Sequence, residues 1–319
     1  MLCSICILFS SCYFFLTGLD RALEDRNDIM QDALDSLESS IADDPYSWDD
    51  GPSYSQDDTV GAARTVDELE RKYGFEIEDP DQLLSDENGE ENCAILDETL
   101  EIFSKPLIKG FLRSLWRRDC AFSMEFVDEH SDSLGETSYR SDLIHIKIFA
   151  PRNTPDPSVT NGITVETIAH ELGHAIHDAL EYQYGMDEVE DIWTSLNGGY
   201  EYGEEWEDGC EAFFAYEYGM TDYYEDVATV FEDLAAFSLV MSSKLSQQEY
   251  DPLYMKVKYL YSMMDETFDL SESTLFDAYE AAATRRGDRD GFDEAFRQFD
   301  AYQYGRYAGT SIRQPLSAA

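Results

Sequence analysis

Two histidines and a glutamate in one short segment have the residue types and the spacing of a metal site. The segment reads His170-Glu171-Leu172-Gly173-His174, an H-E-x-x-H pattern. On a helix, residues four apart lie one turn apart on the same face, so both imidazoles can reach one ion. Zinc-dependent hydrolysis needs neutral nitrogen ligands, an open coordination position and a nearby base, the role that we predict for Glu171. The segment therefore predicts a site for one zinc ion, with His170 and His174 as ligands.

A zinc peptidase site takes a third protein ligand, and the residues alone leave its identity open. Leu180 occupies the position at which an extended motif of this kind carries a third histidine. His177 lies too close on the same helix to complete the site, and we interpret it as a surface histidine or as a support behind a ligand. His130 and His145 lie upstream of the helix. A downstream carboxylate is the favoured ligand, but a chain with 68 aspartates and glutamates offers many.

Hydrophobic periodicity predicts the elements that position this segment. The motif falls on a predicted helix over 164–181, whose apolar stripe lies away from the two motif histidines. Upstream, alternation of apolar and polar residues predicts the strands Ala121–Val127 and Leu143–Phe149. Further helices are predicted at 94–103, 106–116, 211–218, 224–237, 252–268, 272–284 and 292–301. This order of elements predicts an α+β fold, a small sheet with the motif helix followed by a mostly helical C-terminal part.

The net charge excludes one class of partner. The chain has 68 acidic and 22 basic residues, which gives a formal net charge of -46. Nucleic acid is therefore not expected as a partner, because its phosphates would be repelled across most of the surface. We interpret the acidity as a solubility feature. The alternatives are a preference for cationic or neutral substrates and an adaptation to a salty exterior.

The N-terminal third divides by composition into two segments. Residues 2–19 are apolar and uncharged, which predicts a signal or lipoprotein segment over 1–19. The stretch from Leu8 to Cys12 resembles a bacterial lipobox, in which Cys12 is lipidated, and a signal anchor is the alternative. Both predict an extracellular protein at a bacterial cell surface, attached to the membrane only by a lipid or the anchor. Residues 20–91 are predicted to form an acidic, largely flexible spacer ahead of a domain over 92–319.

A second segment resembles a known family. The run from Tyr218 to Ala228 is similar to the second motif of the lethal-factor-like zinc metalloproteases, in which a tyrosine precedes a glutamate ligand by seven residues. The resemblance covers about residues 92–270 and implies a zincin-like metallopeptidase fold. It also implies Glu225 as the third zinc ligand and Tyr218 as the donor to the oxyanion. Glu211, which also precedes an apolar run, is the alternative ligand. Thr229 departs from the pattern, because many members carry a second glutamate there.

Together these features predict an exported zinc-dependent endopeptidase of the gluzincin type, with Glu171 as general base. The predicted partner is a peptide or protein substrate, held by strand addition to Leu143–Phe149, and the chain is predicted to be a monomer. Asp178 and Asp226 are candidates to accept the outer N–H of the ligand histidines. The alternative is a non-catalytic, acidic cell-surface binding protein that retains the zinc-site fold.

Overall fold

The structure, a computed structural model, describes residues 62–86, 88–152 and 161–287. A small four-stranded mixed sheet precedes a mostly helical C-terminal part, which confirms the predicted α+β class. The described strands are β1 (Glu76–Glu78), β2 (Ala121–Val127), β3 (Gly135–Arg140) and β4 (Leu143–Phe149). The described helices are α1 (Val66–Tyr73), α2 (Gly89–Phe103), α3 (Lys105–Trp116), α4 (Val165–Tyr184), α5 (Met186–Ser195), α6 (Tyr223–Ala236), α7 (Ser238–Leu245), α8 (Asp251–Thr267) and α9 (Asp277–Arg286).

The sheet has the strand order β1-β2-β4-β3, in which β1, β2 and β4 are parallel and β3 is antiparallel to β4. The predicted alternation of β4 is confirmed, because Ile144, Ile146 and Ile148 are buried. β4 is hydrogen-bonded to a strand on each side, so it has no free edge for a substrate. The prediction of strand addition to β4 is therefore wrong. In the described part of the chain, β3 is the edge strand at that end of the sheet.

Helix α4, which carries the H-E-x-x-H segment, packs closely against α6. Its first turn is capped by Thr164, whose Oγ1 accepts a hydrogen bond from the Thr167 backbone N–H at 3.2 Å. The helix ends before Gly185, which has a φ of 94°. A Cβ added at Gly173 would lie 2.9 Å from Phe231 of α6, so only glycine permits this separation of the two helices. The predicted apolar stripe of α4 is buried, and it comprises Ile168, Leu172, Ala175 and Ala179.

The fold begins upstream of the boundary predicted at Asn92. Helix α1 contributes Leu69 and Tyr73 to the core, where both are fully buried. Strand β1 then pairs with β2, with Glu76 opposite Ser123. The segment is highly charged, but its few apolar side chains recur at helical and then at strand spacing and close one end of the core. Residues 62–86 and 88–91 therefore belong to the folded unit, although they fall within the range predicted as a spacer.

Several other predicted elements differ from the structure. The predicted helix over 211–218 is replaced by two 3-10 turns, Cys210–Ala212 and Glu217–Met220. The apolar residues of this segment pack into a local cluster of Cys210, Phe214 and Met220, with aromatic residues of the preceding loop around it. α5, α7, β1 and β3 were not predicted, and α9 begins five residues later than the predicted 272–284 helix.

The predictions for residues 1–61, including lipidation of Cys12, and the helix over 292–301 lie outside the described residues. Among the described helices, none combines the length and apolarity needed to cross a membrane.

Candidate metal centre

Three side chains from two helices converge on one point. His170 and His174 lie on α4 and Glu225 lies in the first turn of α6, and their ligand atoms all lie within 4.8 Å of one another. Glu225 Oε2 is 3.0 Å from His170 Nε2 and 3.5 Å from His174 Nε2. The structure therefore brings together the two motif histidines and the glutamate that the family resemblance implies.

Glu211, the alternative ligand, lies outside this group. Its Oε2 accepts a hydrogen bond from the Gly209 backbone N–H at 2.8 Å, within its own turn. Glu225 is instead directed by the start of α6, where Asp222 caps the helix and its Oδ1 accepts from the Glu225 backbone N–H at 3.0 Å. An acid in the first turn is also favoured by the helix dipole. The local sequence thus fixes both the helix start and the position of Glu225.

The outer nitrogen of His170 contacts Glu232, a residue that the sequence analysis missed. His170 Nδ1 and Glu232 Oε2 are 3.1 Å apart, and the Tyr216 hydroxyl donates to the same oxygen at 2.6 Å. Such a carboxylate fixes the tautomer and orientation of a ligand histidine and increases its basicity. Glu232 lies seven residues after Glu225 on α6, which is two helical turns and therefore the same face of the helix. That spacing from the predicted ligand could have identified Glu232 in the sequence.

The two aspartates predicted for that role have other partners, so both predictions are wrong. Asp178 forms an ion pair with Arg118. Asp226 is fully buried, and its Oδ2 accepts from Lys256 Nζ at 2.6 Å and from Trp193 Nε1 at 2.8 Å. Asp226 follows Glu225 directly, and successive residues on a helix point about 100° apart, so it faces the core when Glu225 faces the histidines.

Glu171 is placed beside the histidines by the edge strand β3. Its side chain is 5% exposed, and its Oε2 accepts a hydrogen bond from Thr137 Oγ1 at 2.5 Å. A Cβ at Gly135 would lie 2.6 Å from Glu171 Oε1, so the glycine at the start of β3 leaves the space that this carboxyl occupies. Burial raises the pKa of Glu171, although the neighbouring histidines and Thr137 oppose that shift. A raised pKa suits a group that must accept a proton and return it.

Tyr218 stands at the opening of the same site. Its side chain is 47% exposed, and its ring centroid lies 5.9 Å from that of His170. Burial and the negative charge of Glu225 raise the pKa of Tyr218 to about 12. The hydroxyl therefore keeps its proton at neutral pH and is available as a hydrogen-bond donor.

The other histidines do not join the group. His177 is 1% exposed, and its Nε2 lies 2.7 Å from the Tyr223 hydroxyl, so the interpretation as a surface histidine is wrong. Burial lowers the pKa of His177 to about 3, which keeps the ring neutral. His145 Nδ1 lies 2.8 Å from Ser123 Oγ in the sheet, and His130 is exposed.

The charges of the three converging side chains are coupled. Burial lowers the pKa of His170, but hydrogen bonds with Glu225 and Glu232 outweigh it and raise the pKa to about 9. Burial likewise raises the pKa of Glu225, but hydrogen bonds with His170 and His174 lower it to about 2. The carboxylates thus hold a proton on His170 at neutral pH unless another cation replaces it.

These groups open onto one cleft with a volume of about 540 Å³. Strand β3 forms one wall and α4 the floor, and residues around the starts of α5 and α6 form the other side. The lining residues are Gly135, Glu136, Thr137, Tyr139, His170, Glu171, His174, Asp178, Glu181, Met186, Tyr218, Tyr224 and Glu225. All five residues of the predicted site therefore share a single cleft.

Comparisons with protein-family models, with curated proteins and with solved structures found no match to this chain. The similarity to the lethal-factor-like metalloproteases therefore depends on the two motifs alone, and the arrangement of the residues is the basis for assigning chemistry. Two imidazole nitrogens and one carboxylate are a donor set that suits zinc. The Glu232 carboxylate behind His170 and the Glu171 carboxyl beside the group are also compatible with a catalytic metal site.

We expect Glu225→Ala to lower zinc affinity by at least about 100-fold, because two histidines alone make an incomplete site. Glu211→Ala is the matched control, and it should keep zinc because that carboxylate bonds within its own turn. Zinc content after dialysis measures the difference, with circular dichroism to check folding. Equal zinc retention by the two variants would contradict the assignment of Glu225.

Zinc binding at pH 7 should release about one proton from His170, because its pKa of about 9 leaves the ring charged in the metal-free protein. Affinity should accordingly rise with pH up to about 9 and fall as the solution is acidified. Calorimetry in two buffers of different ionisation enthalpy counts the protons. Glu232→Gln removes one of the two carboxylates that raise this pKa and should reduce the number released, whereas a buffer-independent binding heat would refute the coupling.

Proposed function

We propose that this chain is a zinc-dependent endopeptidase of the gluzincin type. The observation that carries the proposal is the convergence of His170, His174 and Glu225 in one cleft, with the Glu171 carboxyl beside them. A protein that only bound zinc would have no use for a buried carboxyl held in this position. The apolar segment over 2–19 supports export of the enzyme.

A zinc ion held by these three residues would supply Lewis acidity, which makes water nucleophilic near pH 7 and polarises a peptide carbonyl. The protein's own groups handle the protons. Thr137 occupies Oε2 of Glu171, so Oε1 is the atom free to accept the proton of the attacking water. The same atom then returns the proton to the leaving amine. The Tyr218 hydroxyl donates a hydrogen bond to the oxygen that becomes negative.

The substrate backbone is proposed to bind along β3 rather than β4. β3 is the edge strand in the described part of the sheet, and its residues Gly135, Thr137 and Tyr139 line the cleft. An extended peptide can add to such an edge through main-chain hydrogen bonds, which hold a peptide regardless of its sequence. A substrate strand bound along β3 would continue along the cleft past Glu171, which favours cleavage within a peptide chain rather than at its end. The proposed partner is therefore a peptide or an extended protein segment.

Glu171→Gln should retain zinc but lose peptide cleavage by at least about 100-fold, because the amide cannot accept a proton. Glu166→Gln, in the first turn of the same helix, is the matched control and should cleave at the wild-type rate. The assay is zinc content together with mass-spectrometric mapping of a digested peptide library. Cleavage that survives in Glu171→Gln, or a wild type that binds zinc without cleaving any peptide, would refute the proposed function.

Tyr218→Phe should lower kcat by about 10-fold to 1,000-fold with little change in KM, because the lost hydrogen bond forms mainly in the transition state. Tyr182→Phe removes a hydroxyl from another exposed tyrosine outside the cleft lining and should have no such effect. Steady-state kinetics on one peptide measures both variants. A loss confined to KM would assign Tyr218 to ground-state binding instead.

A further inference from the structure

Beyond the metal group, the cleft continues along α4. Asp178 and Glu181 follow His174 by four and seven residues, so they lie on the same face of the helix one and two turns further on. Both line the cleft, together with Tyr139 of β3, Met186 of α5 and Tyr224 of α6. None of these five residues has a part in the proposed proton transfers. This end of the cleft, called here the distal subsite, is formed by these five side chains.

Glu181 is a buried acid without a matching charge. Its side chain is 5% exposed, and its Oε1 has no hydrogen-bond partner. The nearest basic group is the ring of His177, at 3.6 Å, which is neutral because burial lowers its pKa to about 3. Among the described residues, no lysine or arginine forms an ion pair with Glu181. Buried carboxylates are normally paired, and Glu181 lines the cleft, so a cation of a bound ligand would give it the counter-ion that the described residues do not supply.

Negative charges near Glu181 make a cation beside it more favourable. Burial raises the pKa of Glu181 to about 7, opposed by a hydrogen bond with Tyr223, and the charges of Asp178 and Glu190 raise it further. Asp178 itself is paired with Arg118, which also stacks 4.9 Å from the ring centroid of Tyr182. Arg118 therefore neutralises Asp178 and leaves Glu181 as the carboxyl that lacks a counter-ion.

The walls of the distal subsite suit a long side chain that ends in a cation. Tyr139, Met186 and Tyr224 are 48%, 51% and 41% exposed, a large accessible fraction for such side chains. Aromatic faces attract ammonium and guanidinium groups, and a thioether and ring edges pack well against methylene groups. Lysine and arginine bury their apolar stems in this way while the charged end seeks a carboxylate.

We propose that the distal subsite binds a lysine or arginine side chain of the substrate, with Glu181 as its counter-ion and Tyr139 and Tyr224 beside its stem. This inference rests on the proposed peptidase function and gives it a substrate class, peptides with a basic residue close to the cleaved bond. A net charge of -46 over the whole chain also attracts such peptides at long range.

The first test compares peptides that differ only in charge at one position. Cleavage sites mapped in a peptide library give the starting sequence, and matched versions carry lysine or norleucine, or arginine or citrulline. The wild type should favour the charged member by at least about tenfold in kcat/KM. In Glu181→Gln this ratio should fall close to one. Asp187→Asn, which removes an exposed charge beside the subsite but does not line it, should keep the wild-type ratio.

A second variant covers the case in which Glu181→Gln does not fold, as judged by its thermal melt. Tyr139→Leu keeps an apolar side chain on the edge strand but removes the aromatic face, and it should lower the lysine-to-norleucine ratio by about threefold. A wild-type enzyme that cleaves both members equally, or prefers the neutral one, overturns the proposal. So does a preference that persists in Glu181→Gln.

A binding measurement separates this inference from the peptidase function. Fluorescence anisotropy of the labelled lysine and norleucine peptides on zinc-loaded Glu171→Gln requires no turnover. Tighter binding of the lysine peptide, lost when Glu181→Gln is added, supports the subsite even if the wild type cleaves nothing. Cleavage by the wild type without any preference for the cation would overturn the subsite and leave the peptidase function supported.

Discussion

The first turn of α6 carries two adjacent acids in opposite environments, and the candidate metal group depends on that contrast. Glu225 faces the histidines, whereas Asp226 is fully buried and bonded to Lys256, Trp193 and the Tyr202 hydroxyl. These three partners come from α8, α5 and the loop before the 3-10 turns. Removing one member of a buried ion pair costs about 3–5 kcal/mol, so this contact fixes the rotation of α6 about its axis. That rotation decides which acid faces the cleft.

The same rotation places the rest of α6 in register with α4. Glu232 follows Glu225 by two turns and reaches the outer nitrogen of His170, while Phe231 lies against Gly173. A bulkier residue at position 173 would separate the helices and draw both carboxylates away from the histidine. The H-E-x-x-H segment thus contributes to the site through its glycine as well as through its polar residues.

Local sequence patterns were sufficient for the parts of the site that lie within one element. Three such features were predicted correctly, and each lies within a single helix or strand: the spacing of His170 and His174, the apolar stripe of α4 and the alternation of β4. Positions that depend on two elements were missed, apart from Glu225, which only the family resemblance supplied. Glu232 required knowledge of how α6 crosses α4, and Thr137 lies in β3, a strand whose polar residues show no hydrophobic alternation because one side borders the cleft. Asp226 was assigned wrongly because proximity in sequence to a ligand does not imply the same direction on a helix. Asp178 does share a face with His174, but its partner is Arg118, which lies just after α3 and could not be inferred from the spacing on α4.

In the part of the sheet that the structure describes, β3 is an edge strand, and this has a consequence for the behaviour of the protein in solution. An edge strand with unpaired main-chain groups can pair with the same strand of another molecule, the route by which many sheet proteins aggregate. Two copies that approach edge to edge each carry a net charge of -46, and their repulsion opposes this pairing over a distance set by the ionic strength. High acidity thus acts as colloidal protection for a strand that the proposed function requires to be accessible, and concentrated salt weakens this protection.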